Sequence, residues 1–175
     1  MKFLWSGNPF KKDREEEAVA AALKNSYLFE SFSAKEYMYL KDKLHVRKYN
    51  VGENVFEQHQ PGTGMYVLVS GKVAIEEHTF FVDAKSGQET KKSKIIETLE
   101  PGDFFGELAL IDDDHVRPAT AKIIEPSLIV GFFKPDFMEL LKQHPDTGAK
   151  LSLRLAKVAS ERLKDAVEEI KKARS

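Results

Sequence analysis

The residues best suited to chemistry in this 175-residue chain cluster between Pro101 and Thr120. The run Pro101-Gly-Asp-Phe-Phe-Gly-Glu-Leu-Ala-Leu110 is followed, after a short acidic turn, by Arg117-Pro-Ala-Thr120. Gly102 and Gly106 permit backbone conformations that a side chain forbids. Glu107 opens a helix-compatible Glu-Leu-Ala-Leu run, whose first N–H groups lack intrahelical partners and attract an anion. Arg117 supplies a two-pronged grip suited to a phosphate. Glu107 repels a phosphate, so its natural partner is a hydroxyl that donates to it. The set therefore suits a small ligand bearing both an anion and a hydroxyl. The competing reading is a structural one, in which Glu107 and Arg117 simply pair with each other, since buried charges are costly unless paired.

At these residues the chain resembles the cyclic-nucleotide-binding domain family. The family's phosphate-binding cassette reads approximately Phe-Gly-Glu-(Leu/Ile)-Ala-Leu, a variable turn, then Arg-(Ser/Ala/Thr)-Ala-Thr. Here it is Phe105-Gly106-Glu107-Leu108-Ala109-Leu110, then Ile111 to Val116, then Arg117-Pro118-Ala119-Thr120. The resemblance implies that Glu107 takes the ribose 2′-hydroxyl. It implies that Arg117 takes the cyclic phosphate, with backbone amides of Gly106, Leu108, Ala109 and Ala119 assisting. The ten-position gap from Glu107 to Arg117 (117 − 107) is one longer than in kinase regulatory subunits and matches the bacterial catabolite activator type. One residue departs from the pattern. Pro118 has no N–H, so an amide that commonly reaches the phosphate is missing, and a hydrogen bond to a charged group is worth about 1.5–3 kcal/mol. In cGMP-selective relatives a threonine at this position contacts guanine. Its absence tilts the expected ligand toward cAMP, with cGMP or another cyclic nucleotide as alternatives. Ile96 and Thr98, on the strand before the cassette, are expected to line the base pocket.

Composition narrows the other classes. The net charge of −1 gives no bulk electrostatic case for binding nucleic acid or an anionic membrane. With no cysteine there is neither a disulfide, nor a thiolate nucleophile, nor a cysteine-ligated zinc. The apolar run near the N-terminus, Phe3-Leu-Trp5, is too short for a signal peptide or a membrane span, and the expected location is cytoplasmic. None of the five histidines (His45, His59, His78, His115, His144) lies two residues from another, and no nucleophilic triad or metal-protease motif is present. Asp112-Asp-Asp-His115 reads as a solvated acidic turn. No catalytic residue and no metal site is expected.

The elements that must position the cassette follow from periodicity. Residues 1–12 read as irregular, and Asp13–Lys24 as an alanine-rich helix with acids at its start. Ser33-Ala-Lys-Glu36 is a capping box before a short second helix. From Leu44 to Phe133, short β-rich runs alternate with glycine and proline breaks: Val46–Tyr49, Val55–Gln58, Met65–Ser70, Val73–Glu77, Ile95–Leu99, Ala119–Ile124 and Leu128–Phe133. The expectation is a mainly β fold with flanking helices, an eight-stranded jelly roll (double-stranded β-helix). His78–Ser93 reads as a hairpin with a polar, mobile tip at Lys85–Lys92, a segment that could dock a partner. The domain boundaries implied are 1–43 for an N-terminal helical segment, 44–133 for the β-roll with its cassette at 101–120, and 134–175 for a C-terminal hinge and long helix.

The helical period returns at Pro135, with Phe137, Leu140 and Leu141 on one face. After His144-Pro-Asp146, the long helix carries two stripes. Leu151, Leu155 and Val158 can face the roll. Ala149, Ser152, Ala156, Ala159, Leu163, Ala166 and Ile170 form a heptad seam of mostly small residues, which predicts a homodimer through this helix. Bacterial relatives carry a DNA-binding helix-turn-helix beyond such a helix. The four-residue basic stretch Lys171-Lys-Ala-Arg174 is too little for one, so direct DNA binding is not expected. The functional expectation is a regulatory domain that binds a cyclic nucleotide and moves its C-terminal helices against a dimer interface or an unknown downstream protein. The alternative is a nucleotide-independent dimerisation or scaffold module that retains the fold alone.

Overall fold

The computed structural model describes residues 9–82 and 89–173. Two helices lead into the sheet: α1 (Pro9–Asn25) and α2 (Ala34–Lys41). Six strands follow among the described residues: β1 (His45–Tyr49), β2 (Asn54–Phe56), β3 (Gly64–Val82), β4 (Glu89–Leu99), β5 (Phe104–Phe105) and β6 (Thr120–Phe133). A 3₁₀ turn at Glu107–Leu110 lies between β5 and β6, and two helices close the chain, α3 (Lys134–Gln143) and α4 (Pro145–Ala173). The sheet is antiparallel, in the order β1-β6-β3-β4, with β2 also on β6 and β5 also on β3.

Strand alternation sorts the core into two layers. Met65, Val67 and Val69 of β3, paired with Phe132 and Val130 of β6, face the helices. There they meet Leu23, Leu28, Phe29, Leu40, Phe137, Leu140, Leu151 and Leu155. Leu68 and Val73, with Ile129, Ile123 and Ala121, point the other way into the roll, against Tyr49, Leu99 and Phe105. This is the period-two rule for a sheet covered on both faces.

The capping box forms as expected: the Glu36 N–H donates to Ser33 Oγ at 3.3 Å, and the Ser33 N–H donates to Glu36 Oε2 at 2.6 Å. Three expectations are corrected. First, α1 begins at Pro9, not Asp13, so Glu15–Glu17 lie beyond the first turn and that turn holds no acid. A proline suits a first helical turn, and Phe10-Lys-Lys continues it. Second, the runs around Ser70-Gly71 and around Pro126 are bends within single strands. Gly71 has φ +89, and a Cβ there would meet Ser127 Oγ at 2.3 Å and Pro126 O at 2.4 Å. The β3–β6 register shifts across these positions, as at a bulge, and Pro126 sits where no β3 partner requires its missing N–H. The expected eight strands are therefore six, two of them bent, and the pair Phe104–Phe105 was not foreseen. Third, the β3–β4 ladder continues past His78 to Val82↔Glu89. Of the expected mobile tip at Lys85–Lys92, residues 85–88 lie outside the described residues and residues 89–92 belong to β4.

Candidate functional site

The cassette forms a corner where β5, the 3₁₀ turn, the segment before β6 and the far part of α4 meet. Gly106 turns the chain with φ +72. A Cβ at that position would stand 2.4 Å from Arg117 Nη1, so glycine is needed both for the backbone and for the space. The next four residues form the 3₁₀ turn, which swings Glu107 inward and leaves its side chain fully buried.

Arg117 is the largest fully buried side chain among the described residues, 1% exposed. Its backbone is locked to the loop before β3: the Arg117 N–H donates to Gln60 C=O at 2.9 Å, and the His59 N–H donates to Arg117 C=O at 2.8 Å. Nη1 donates to Gly106 C=O at 3.0 Å and Nη2 to Gly64 C=O at 2.7 Å. The guanidinium carbon stands 4.1 Å from the Phe56 ring centre and 5.8 Å from that of Tyr66. Phe56, Tyr66 and Phe105 pack together with ring centres 5.4–5.8 Å apart, Tyr66 stacked on Phe105 and Phe56 tilted against both. Carbonyls and ring faces thus hold this cation in place of a carboxylate. Burial pushes the Arg117 pKa down, while Tyr66 and Glu107 push it back up. Burial likewise raises the Tyr66 phenol, opposed by Arg117.

Glu107 and Arg117 are not locked together. Glu107 meets the charge of α4 instead: Arg162 Nη1 lies 2.8 Å from its Oε1. The contact is an ion pair without hydrogen-bond alignment, and both Glu107 oxygens are buried with no hydrogen-bond donor. Arg117 Nε is also buried without a partner. A corner holding one unmatched N–H on a cation and two unmatched carboxylate oxygens can accept a ligand that offers an anionic oxygen and a hydroxyl.

The remaining expected residues are distributed as follows. Ala109 is fully buried, Ala119 nearly so, Leu108 half-buried and Pro118 exposed. The Ala109 N–H already reaches Gly106 C=O at 3.3 Å, a long bond. Ile96 and Thr98 lie exposed on β4, Ile96 at the register shift opposite Ile75 and Glu76. Near the corner's rim His115 Nδ1 is 3.7 Å from Asp112 Oδ2, while Asp113 pairs with Lys134. Among the described residues no group of three or more His, Asp or Glu gathers in a way that could hold a metal ion.

Sequence reasoning missed Phe56, Tyr66 and Arg162. The aromatic pair carried a weak signal, since each sits at an inward position of a strand. Arg162 carried none, because its position depends on how the whole of α4 lies on the roll. A cleft of about 980 Å³ lies elsewhere, between α1, α2 and β1. Its lining is mostly apolar with flanking Glu15, Glu16, Arg47 and Lys48, and it brings none of the cassette residues to its wall.

The sequence pattern that defines the cyclic nucleotide-binding domain matches residues 46–144. The chain belongs to the cyclic nucleotide-binding domain family. It is 29% identical over 135 residues to the cyclic AMP receptor protein of Thermus thermophilus, covering 77% of this chain and 58% of that one. It is 34% identical over 86 residues to a cAMP-dependent protein kinase regulatory subunit of Mycosarcoma maydis, covering 49% of this chain and 14% of that one. The domain therefore spans only part of the relatives it matches. Among solved structures, the Thermus thermophilus catabolite activator protein superposes with a TM-score of 0.65 at 28% identity, covering 83% of this chain and 62% of that one. A cyclic nucleotide-binding domain from Methylobacillus flagellatus reaches 0.70 over 92% of this chain and 85% of that one; at 20% identity it supports the fold alone. The β-roll with flanking helices expected from the sequence is the fold of these relatives. The family is defined by ligand binding and not by a catalytic activity, and no helix among the described residues is long and apolar enough to cross a membrane.

Proposed function

We propose that this domain binds a cyclic nucleotide monophosphate, cAMP in preference to cGMP, at the Gly106–Glu107–Arg117 corner. The observation that carries the reading is the set of buried, unmatched polar atoms there: Arg117 Nε on one side and both oxygens of Glu107 on the other. Buried polar groups are almost always partnered. A cyclic phosphate satisfies the guanidinium, and a ribose 2′-hydroxyl satisfies the carboxylate. The amides of Leu108, Ala109 and Ala119 assist, while Pro118 contributes none. Ile96 and Thr98, exposed on β4, are the candidate base contacts.

The same ligand acts on the C-terminal helices. The 3₁₀ turn touches both α3 and α4. Phe137 and Leu140, buried in the helix-facing core, carry any inward shift of the cassette to the hinge. The exposed stripe Ala156, Leu163, Ala166 and Ile170 of α4 then forms a homodimer seam. The domain passes its state to a downstream protein and works in the cytoplasm.

A thermal-shift screen with cAMP, cGMP and a cyclic dinucleotide tests the reading. A ligand at a hundred times its dissociation constant stabilises the fold by about 2.7 kcal/mol, and cAMP is expected to give the largest shift. Arg117→Met is expected to abolish the shift. An absent shift with every nucleotide would instead favour the scaffold alternative.

A further inference from the structure

The walls of the cleft between α1, α2 and β1 are built almost entirely from hydrocarbon. Val19 and Leu23 of α1, Tyr37 and Met38 of α2, and Leu44 and Val46 around the start of β1 line its about 980 Å³. The Tyr37 hydroxyl already donates to Phe29 C=O at 2.7 Å, so its proton is not available to a ligand. Met38 and Val46 are left 73% and 48% exposed. A concave apolar surface open to water with a polar rim marks a binding site. A purine or a peptide backbone placed against these walls would strand its polar atoms, at a cost that apolar contact does not return. The body of a fitting ligand is therefore itself hydrocarbon, and the volume, near the upper end for small-molecule sites, suits a long chain.

The rim fixes the charge of that ligand. Four cations line the cleft, Lys24, Lys41, Arg47 and Lys48, against two acids, Glu15 and Glu16, in a chain whose net charge is −1. Three of the cations already have acids beside them: Lys48 pairs with Glu15, Lys41 lies 3.6 Å from Glu16 and Arg47 lies 3.5 Å from Glu53. Lys24 has no ionic partner among the described residues. The local excess is positive, and the cation that carries it stands on α1 at the cleft.

We propose that this cleft is a second ligand site, separate from the cassette corner, which takes a free single-chain amphiphile with an anionic head, of the long-chain carboxylate class. The chain lies along Val19, Leu23, Met38 and Val46, where adaptable Met38 can follow its contour, and the carboxylate meets Lys24. The ligand also has a structural consequence. The ion pairs that join α1 to α2 and to β1, Glu16 to Lys41 and Glu15 to Lys48, are on the surface and contribute little. A hydrocarbon chain between the same elements adds apolar contact that these pairs do not supply, so occupation holds α1 against α2 and β1.

The test titrates the full chain with decanoate, dodecanoate and tetradecanoate, each below its micelle concentration, and with tetradecanol. Saturable one-to-one binding is expected, with affinity rising about tenfold for every two methylenes and tetradecanoate preferred over tetradecanol about three- to fivefold. Met38→Glu and Val46→Glu change exposed positions, so both variants are expected to fold as the wild type does. Each places a carboxylate on the wall and should weaken tetradecanoate at least about tenfold. Lys24→Met keeps the stem and removes the charge, so it should erase the preference for the acid over the alcohol. Binding at the cassette should be the same in all three variants as in the wild type. No saturable binding of any chain, or binding that Met38→Glu and Val46→Glu leave unchanged, overturns the proposal. A preference that survives Lys24→Met overturns the assignment of the head, leaving Lys24 as a helix-terminal charge. Binding to anionic phospholipid vesicles without binding of free acid makes the face a membrane contact and overturns the proposal. Trp5 is the one tryptophan of the chain. If its emission is blue-shifted in the free protein and moves to the red in Met38→Glu, the chain's own N-terminal segment fills the cleft, which likewise overturns it.

Discussion

In the cassette corner, Arg117 is fixed at every level: its backbone by Gln60 and His59, its side chain by two carbonyls and the Phe56 ring. In the outer half of α4, every residue from Ser160 to Ala173 is exposed. The inner half of the same helix sits between these extremes, with Leu151, Leu155 and Val158 buried against the roll. On the function proposed above, the contrast separates two tasks. A corner that recognises a phosphate gains from rigidity, because charge-assisted bonds weaken quickly with misalignment. A helix that reports occupancy must have low local stability, since elements that move are drawn from that end of the range.

The contrast can be broken or sharpened by substitution. The largest effect is expected along α4. Leu155→Ala should cost about 2–5 kcal/mol of unfolding free energy, whereas Leu163→Ala should stay within about 0.5 kcal/mol when the chain is dilute enough to be monomeric. Urea denaturation of both variants checks this, and similar costs would mean that the outer half packs on its own domain. Leu163→Glu should lower the sedimentation-equilibrium mass if the seam joins two copies.

The next effect is at the corner. Gly106→Ala and Gly52→Ala both place a side chain on a left-handed backbone, which costs about 1–2 kcal/mol. Nothing lies within 4 Å of a Cβ at Gly52, whereas one at Gly106 meets Arg117 at 2.4 Å. Gly106→Ala should therefore cost more than Gly52→Ala in the same denaturation experiment and should also lose nucleotide binding. Equal costs would show that Arg117 is less tightly held than its contacts indicate.

A smaller effect lies at α2. Ser33→Ala should cost about 1 kcal/mol, measured in the same way. Burial raises the Glu36 pKa, but bonds from Ser33 and Lys150 outweigh it, and the net shift is downward. A lowered folded pKa means that this stability is present above the ordinary carboxylate range and is lost as pH falls through the folded value. Glu36→Gln should flatten the acid side of the stability profile relative to wild type. An unchanged profile would show that the box contributes no linkage.

The cassette and the capping box could be read directly because each is written in adjacent residues with fixed chemical roles. Gly106, Glu107 and Arg117 lie within one short stretch, and the Ser33–Glu36 pair is a local hydrogen-bond pattern. The continuity of β3 and β6 could not be read, because Gly71 and Pro126 are breakers in most strands and become bends only when a facing bulge absorbs them. The start of α1 was missed because proline at a helix start resembles proline in a loop. Arg162 was out of reach for another reason: the phase of α4 on the roll is set by tertiary packing of Leu151, Leu155 and Val158, and only that packing brings the arginine over Glu107.

Isothermal titration of cAMP into the wild type and into Arg117→Met addresses the account most directly. The expected result is saturable one-to-one binding to the wild type, weakened at least about a hundredfold in the variant, as for the loss of more than one charge-assisted hydrogen bond. Equal binding to both proteins would contradict the assignment of the phosphate to this corner.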